Sequence, residues 1–189
     1  MKKLAFILIL YLFFSACNET HIPKPRGYFR ISFPEKSFHE INEKLPYSFE
    51  LADYSKIEYQ QGTHAEGEEW VNVVTSANKA DLHLTYLKIA GDLNHHIEES
   101  RKLAYDHSIK ADAINERLYI NPQEHVYGTI YYIEGNAASP MQFYLTDSTS
   151  RFLRGALYIR EIPNIDSIQP VIDFLEPDVT HLIETFKWK

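Results

Sequence analysis

The sequence has one cysteine, seven glycines and no apolar run long enough to cross a bilayer as a helix. Each shortage removes a class of protein. Cys17 alone cannot build an internal disulfide. Scarce glycine argues against low complexity and against loops that cradle phosphate. Basic residues are also short, with 19 Lys and Arg against 26 Asp and Glu and a formal net charge of −7. Phosphate contacts need basic density, so no nucleic-acid partner is expected. The same acidity gives no attraction to anionic lipid. HExxH, CxxC, histidine pairs four apart and the nucleophile elbow GxSxG are all missing.

What is present begins with a targeting segment. Lys2 and Lys3 precede an apolar run from Leu4 to Phe14, closed by Ser15-Ala16-Cys17. A basic start, an apolar stretch and small residues before a cut describe a secretory signal, expected over residues 1–16. "FSAC" resembles a bacterial lipobox, with Phe14 in place of the usual leucine. Cys17 is therefore the expected lipid attachment site, carrying palmitate-type acyl chains. A lone thiol at a cleavage site is well explained in this way. Several buried chains, at about 0.8 kcal/mol per methylene, anchor far more firmly than one. Removal of residues 1–16 leaves 17 basic against 26 acidic residues, a charge of −9. Asn18 stands where an aspartate would resemble an inner-membrane retention signal, which leans toward the outer membrane. Glu19 is the only acid nearby, which favours the periplasmic face over surface export.

Residues 17–27 read as a lipidated tether and 28–189 as a single domain. Pro23 and Pro25 stiffen the tether toward extended geometry. Alternation from Tyr28 to Phe33 predicts a strand with Phe29, Ile31 and Phe33 buried and Tyr28 and Arg30 outward. Tyr47, Phe49 and Leu51 alternate next, then "EEWVNVVT" and "DLHLTYLKI" with a turn at Asn78-Lys79. The period changes at Asp92, a candidate N-cap, and a helix is expected to about Lys110. "ERLYIN", "EHVYGTIYYIEG", "MQFYLTD" and "RFLRGALYIR" return to strand, the last three as an antiparallel meander. Ser167 to Leu175 predicts one short helix and Pro177 the first turn of another. The fold class is α+β: one antiparallel sheet with an amphipathic helix and C-terminal helices packed on it. This arrangement resembles the PsbP/Mog1 type, a topological likeness that carries no function.

Few residues point to chemistry. His95 and Glu99, and His96 and His107, share helix faces, but a solvated face explains them and no metal is expected. Carboxylates are scattered through turns and helix starts, so no catalytic residue is assigned. Tyr127, Tyr131, Tyr132, Tyr144 and Tyr158 form either an aromatic ligand platform or a sheet face covered by the C-terminal helices. Asp147-Ser148-Thr149 and Asp166-Ser167-Ile168 resemble the acceptor triplet of Bacteroidetes O-glycosylation, which makes Ser148 and Ser167 possible sites. Lys24, Arg26 and Arg30, with Tyr28, form a basic rim on an acidic protein, a possible partner contact.

"PKPRGYFRISFPEKSF", "LPYSFELADYSKI" and the terminal "LIETFKW" resemble the gliding-motility lipoprotein D family (GldD) of Bacteroidetes along nearly all of the chain after the signal. The resemblance implies an outer-membrane lipoprotein of the gliding-motility and type IX secretion apparatus. Its partners would be other envelope proteins of that apparatus, and it brings no catalytic residue or cofactor. A non-enzymatic structural or assembly component is therefore expected. The alternative is a periplasmic lipoprotein enzyme or ligand-binding module acting on envelope glycan or peptide.

Overall fold

The computed structural model describes residues 31–41, 43–60, 67–161 and 164–189. Strand follows strand until the first helix: β1 Phe38–Glu40, β2 Tyr47–Ser48, β3 Glu50–Ala52, β4 Lys56–Tyr59, β5 Glu69–Thr75 and β6 Ala80–Lys88. Helix α1 spans Leu93–Tyr105 and runs into a 3-10 turn at Asp106–Ile109. Then come β7 Ala111–Asn121, β8 Val126–Gly135, β9 Met141–Thr146, β10 Arg151–Ile159, helix α2 Ile165–Glu184 and β11 Lys187–Trp188. Seven strands form one antiparallel sheet in the order β4-β5-β6-β10-β9-β8-β7. Two small ladders, β1 with β3 and β2 with β11, flank it. The α+β class follows, and from Ile31 to Lys189 the chain packs as one compact unit.

Alternation along the strands gives the sheet two apolar faces. On one, Val71, Leu82, Leu84, Ile130, Phe143 and Leu153 are buried beneath α2. On the other, Tyr131, Ile133, Tyr144 and Phe152 lie beneath α1, which contributes Ala104, Leu93 and Ile97. The helices therefore cover opposite faces of the sheet. Gly155 on β10 permits this packing, because a Cβ there would sit 2.2 Å from the Phe143 ring.

The C-terminal helix corrects the expectation of two helices meeting at Pro177. α2 is continuous, with Pro170 and Pro177 inside it. Each interior proline costs about 3 kcal/mol. Seven α2 side chains from Ile168 to Ile183 are buried, at about 1.5–3 kcal/mol each, which outweighs both prolines. Asn136, from the β8–β9 turn, accepts the Ile165 N–H at 2.9 Å and holds the start of the helix.

The first segment also corrects an expectation. Residues 31–37 are not a strand, and Ile31 is 41% exposed rather than buried. The sheet face they would have joined is already filled by α2. They run instead along the outside of that helix. Phe29, with Tyr28 and Arg30, lies outside the described residues.

Candidate functional site

The segment from Ile31 to Phe38 is a strap fastened to α2 at successive turns. Phe33 stacks on Phe174 with ring centroids 4.3 Å apart and planes 15° from parallel. Lys36 Nζ lies 2.6 Å from Asp178 Oδ1 and also donates to the Phe174 carbonyl at 2.7 Å. Phe38 stacks on His181 at 3.9 Å. Asp178 accepts a second bond from the Tyr54 hydroxyl. Burial pushes the Tyr54 pKa up, and the adjacent Asp178 pushes it further. One turn on, His181 bonds Glu50 at 2.7 Å, and Thr185 Oγ1 accepts the Glu50 N–H at 2.9 Å. The start of the domain is thereby tied to its last helix by aromatic stacking and charge.

Beside α2 lies an open groove whose other wall is the sheet edge. Asp112, Asn115, Arg117, Tyr132, Gln169 and Glu176 line a stretch of about 660 Å³. Arg117, Tyr132 and Glu176 continue into a second stretch of about 470 Å³ that reaches Lys36, Phe38 and His181. The Arg117 guanidinium stands 5.7 Å from the Tyr132 ring centre. Burial raises the Glu176 pKa, the nearby Asp173 adds to it, and Arg117 opposes both. Among the described residues β7 has β8 as its only sheet neighbour, so within them one side of an eleven-residue strand carries no ladder. On the sheet face away from the groove, Leu118 is 73% and Ile120 64% exposed. A long edge with open backbone groups, apolar residues on one face and a charged groove on the other can accept an additional strand.

Cys17, Lys24, Arg26, Tyr28 and Arg30 lie outside the described residues. Ser148 is exposed at φ 66° in the β9–β10 turn. Its neighbour Asp147 accepts the backbone N–H groups of Thr149, Ser150 and Arg151 at 2.8–3.0 Å. Partial burial pushes the Asp147 carboxyl up, but these bonds outweigh it and hold the pKa at about 2. Ser167 is exposed in the first turn of α2.

The tyrosine platform does not form as one surface. Tyr131 and Tyr144 are buried beneath α1, while Tyr132 points to the opposite face. The covering helix is thus α1, not the C-terminal helix. Asp92 does precede α1, but its side chain bonds Ala90 N–H and His96 instead of capping the helix. Among the described residues no three His, Cys, Asp or Glu side chains converge as metal ligands.

Two features escaped sequence reading. The strap carries no period, since its contacts are to one distant helix. Arg154 was marked only by its phase, which places a charge beside Phe152 on a covered face.

No match was found among curated proteins. A family model described as "Gliding motility lipoprotein GldD" matches residues 18–188. The match spans the strap, both helices and every strand of the sheet, and the chain belongs to the gliding motility lipoprotein GldD family.

Proposed function

We propose that the protein is a non-catalytic assembly component of the gliding-motility and type IX secretion apparatus. It is held by lipid on Cys17 at the periplasmic face of the outer membrane. The family match over residues 18–188 carries this reading, because a gliding-motility lipoprotein is an anchored envelope protein. The strap supports it: the residues that follow the tether are fastened to α2 by the Phe33–Phe174 stack and the Lys36–Asp178 pair. A chain of ten residues, the number from Asn18 to Gly27, could span at most about 35 Å.

The edge strand β7 is where a partner docks in this reading. Its occupant is an extended segment of another envelope protein, added as an eighth strand. Asp112, Glu134 and Glu176 outnumber Arg117 in the adjoining groove, so the segment presents basic side chains there. Its alternate residues are apolar and cover Leu118 and Ile120. Affinity purification from cells expressing Leu118→Lys/Ile120→Lys tests this. Loss of an envelope protein of the motility or secretion machinery that the unaltered lipoprotein retains is expected. Equal recovery from both, or recovery of no such protein from either, contradicts the docking role.

A further inference from the structure

Ile109 is 91% exposed, more than any other large apolar side chain among the described residues. It ends the 3-10 turn Asp106–Ile109 that joins α1 to β7. A lone exposed apolar residue is ordinary on a protein surface, so its surroundings decide what it means. Lys110 follows it and is exposed, as is Lys102 in the last turn of α1. The lysines that pair with carboxylates among the described residues are Lys36, Lys56, Lys79 and Lys187. Lys102 and Lys110 are therefore left to solvent around an uncovered aliphatic tip.

The register fixes which end of the domain carries this tip. Ala111, at the start of β7, lies opposite Gly135 at the end of β8. Met141, at the start of β9, lies opposite Tyr132 on β8 and opposite Leu157 on β10. Ile159, at the end of β10, lies opposite Ala80 at the start of β6. The start of β7, preceded by Ile109, and the end of β10 are thus at the same end of the sheet. Ile31 is at that end too: with Lys79, Ile159, Ile168 and Val171 it lines an open groove of about 650 Å³. Cys17 precedes Ile31 by 14 residues, so the covalent path to the anchor leaves the described domain there. Leu118 and Ile120 lie toward the other end, since seven residues of strand separate Ala111 from Leu118 by roughly 23 Å.

An aliphatic tip accompanied by unpaired lysines suits a bilayer interface. The apolar part enters the acyl boundary, and the ammonium groups stay with the lipid phosphates. One such contact is weak, but a lipid anchor supplies a high local concentration of membrane, so a weak contact is enough. We propose that Ile109, with Lys102 and Lys110, seats this end of the domain on the phospholipid surface. The groove at Ile31 and Ile159 then faces the bilayer, and the Leu118 end of β7 faces away from it. The inference rests on the reading of Cys17 as the lipid anchor. It stands whether or not the docking role of β7 is correct.

The test places a nitroxide on the full-length lipoprotein in phosphatidylcholine vesicles and reads its collisions with a water-soluble nickel chelate. Ser108→Cys carries the label beside an intact Ile109, and Gln123→Cys carries it in the turn after β7, at the other end of the sheet. Both positions are exposed, so neither substitution disturbs the core. The label at 108 is expected to collide with the chelate at least about fivefold less than the label at 123, because the bilayer shields it. Adding Ile109→Asp to the Ser108→Cys chain should abolish that difference. Equal collision rates at 108 and 123 overturn the proposal, and leave the tip to a protein partner or to water. Shielding that survives Ile109→Asp overturns it as well, since the aliphatic tip would not be what seats. Flotation with the vesicles separates the two readings. A chain that floats with residue 108 in water contradicts only the seating. A chain that does not float contradicts the anchor, and the seating falls with it.

Discussion

Lys36 and Asp178 meet at 2.6 Å, 142 residues apart in sequence, and join the strap to the middle of α2. Their side chains are unequally exposed, at 33% for Lys36 and 12% for Asp178. The two ends of the pair should therefore respond differently to truncation. Asp178→Ala leaves the Tyr54 hydroxyl without its acceptor as well as freeing Lys36, and is expected to cost about 2 kcal/mol. Lys36→Ala removes a more solvated charge and should cost less than about 1 kcal/mol. Urea denaturation of both variants checks this, and the reverse order of stabilities would contradict the strap's geometry.

Gly155 and Phe143 make a second testable pair. A methyl group on residue 155 would stand 2.2 Å from the Phe143 ring, which cannot move without disturbing the α2 face. Gly155→Ala should destabilise by about 1–3 kcal/mol, as overpacking of a filled core does. Phe143→Leu in the same chain should recover part of that loss. A double variant no more stable than the sum of its single changes would show that the ring is not the obstacle.

Acid stability should carry the mark of Asp147. Its folded pKa of about 2 lies below the ordinary value of 3.8. A depressed carboxylate contributes stability that is fully present above the ordinary value and is lost as the pH falls through the folded one. The stability of the unaltered protein relative to Asp147→Asn should thus decline between about pH 4 and pH 2. A difference that stays constant over that window would mean that the turn does not depend on the charge.

Leu118 and Ile120 separate stability from docking. Both are mostly exposed, so changing them together to lysine should alter unfolding free energy by about 0.5 kcal/mol or less per site. Gliding should nevertheless fail, because the β7 edge no longer accepts an apolar segment. Normal motility in the stable double variant would contradict a docking role for β7.

Much of the sheet was legible because its strands alternate cleanly. Leu82, Leu84 and Tyr86 share one buried face as their spacing predicts, and Met141, Phe143 and Leu145 do the same. Asp92 marks the start of α1. The break placed at Pro177 failed because a local rule about proline met a longer apolar stripe pressed against the sheet. Ile31 was misplaced for a related reason: alternation names the faces of a segment, not whether a sheet edge is free to pair with it. Burial of the tyrosines was open to reading, but the helix that covers them was not, since α1 and α2 both carry apolar stripes. The Arg154–Gln142 hydrogen bond joins β10 to β9, and His83 on β6 lies across the same strand, a grouping that only the strand order produces.

In the proposed role the anchored lipoprotein holds an envelope partner through its β7 edge. The most direct test of this role is a photo-cross-linking amino acid in place of Leu118 in intact cells, followed by mass spectrometry of the adduct. One dominant adduct is expected, with an envelope protein of the gliding or secretion machinery, through an extended basic segment of that protein. The adduct should disappear when Ile120 is changed to lysine. No such adduct, or one unaffected by Ile120→Lys, would contradict it.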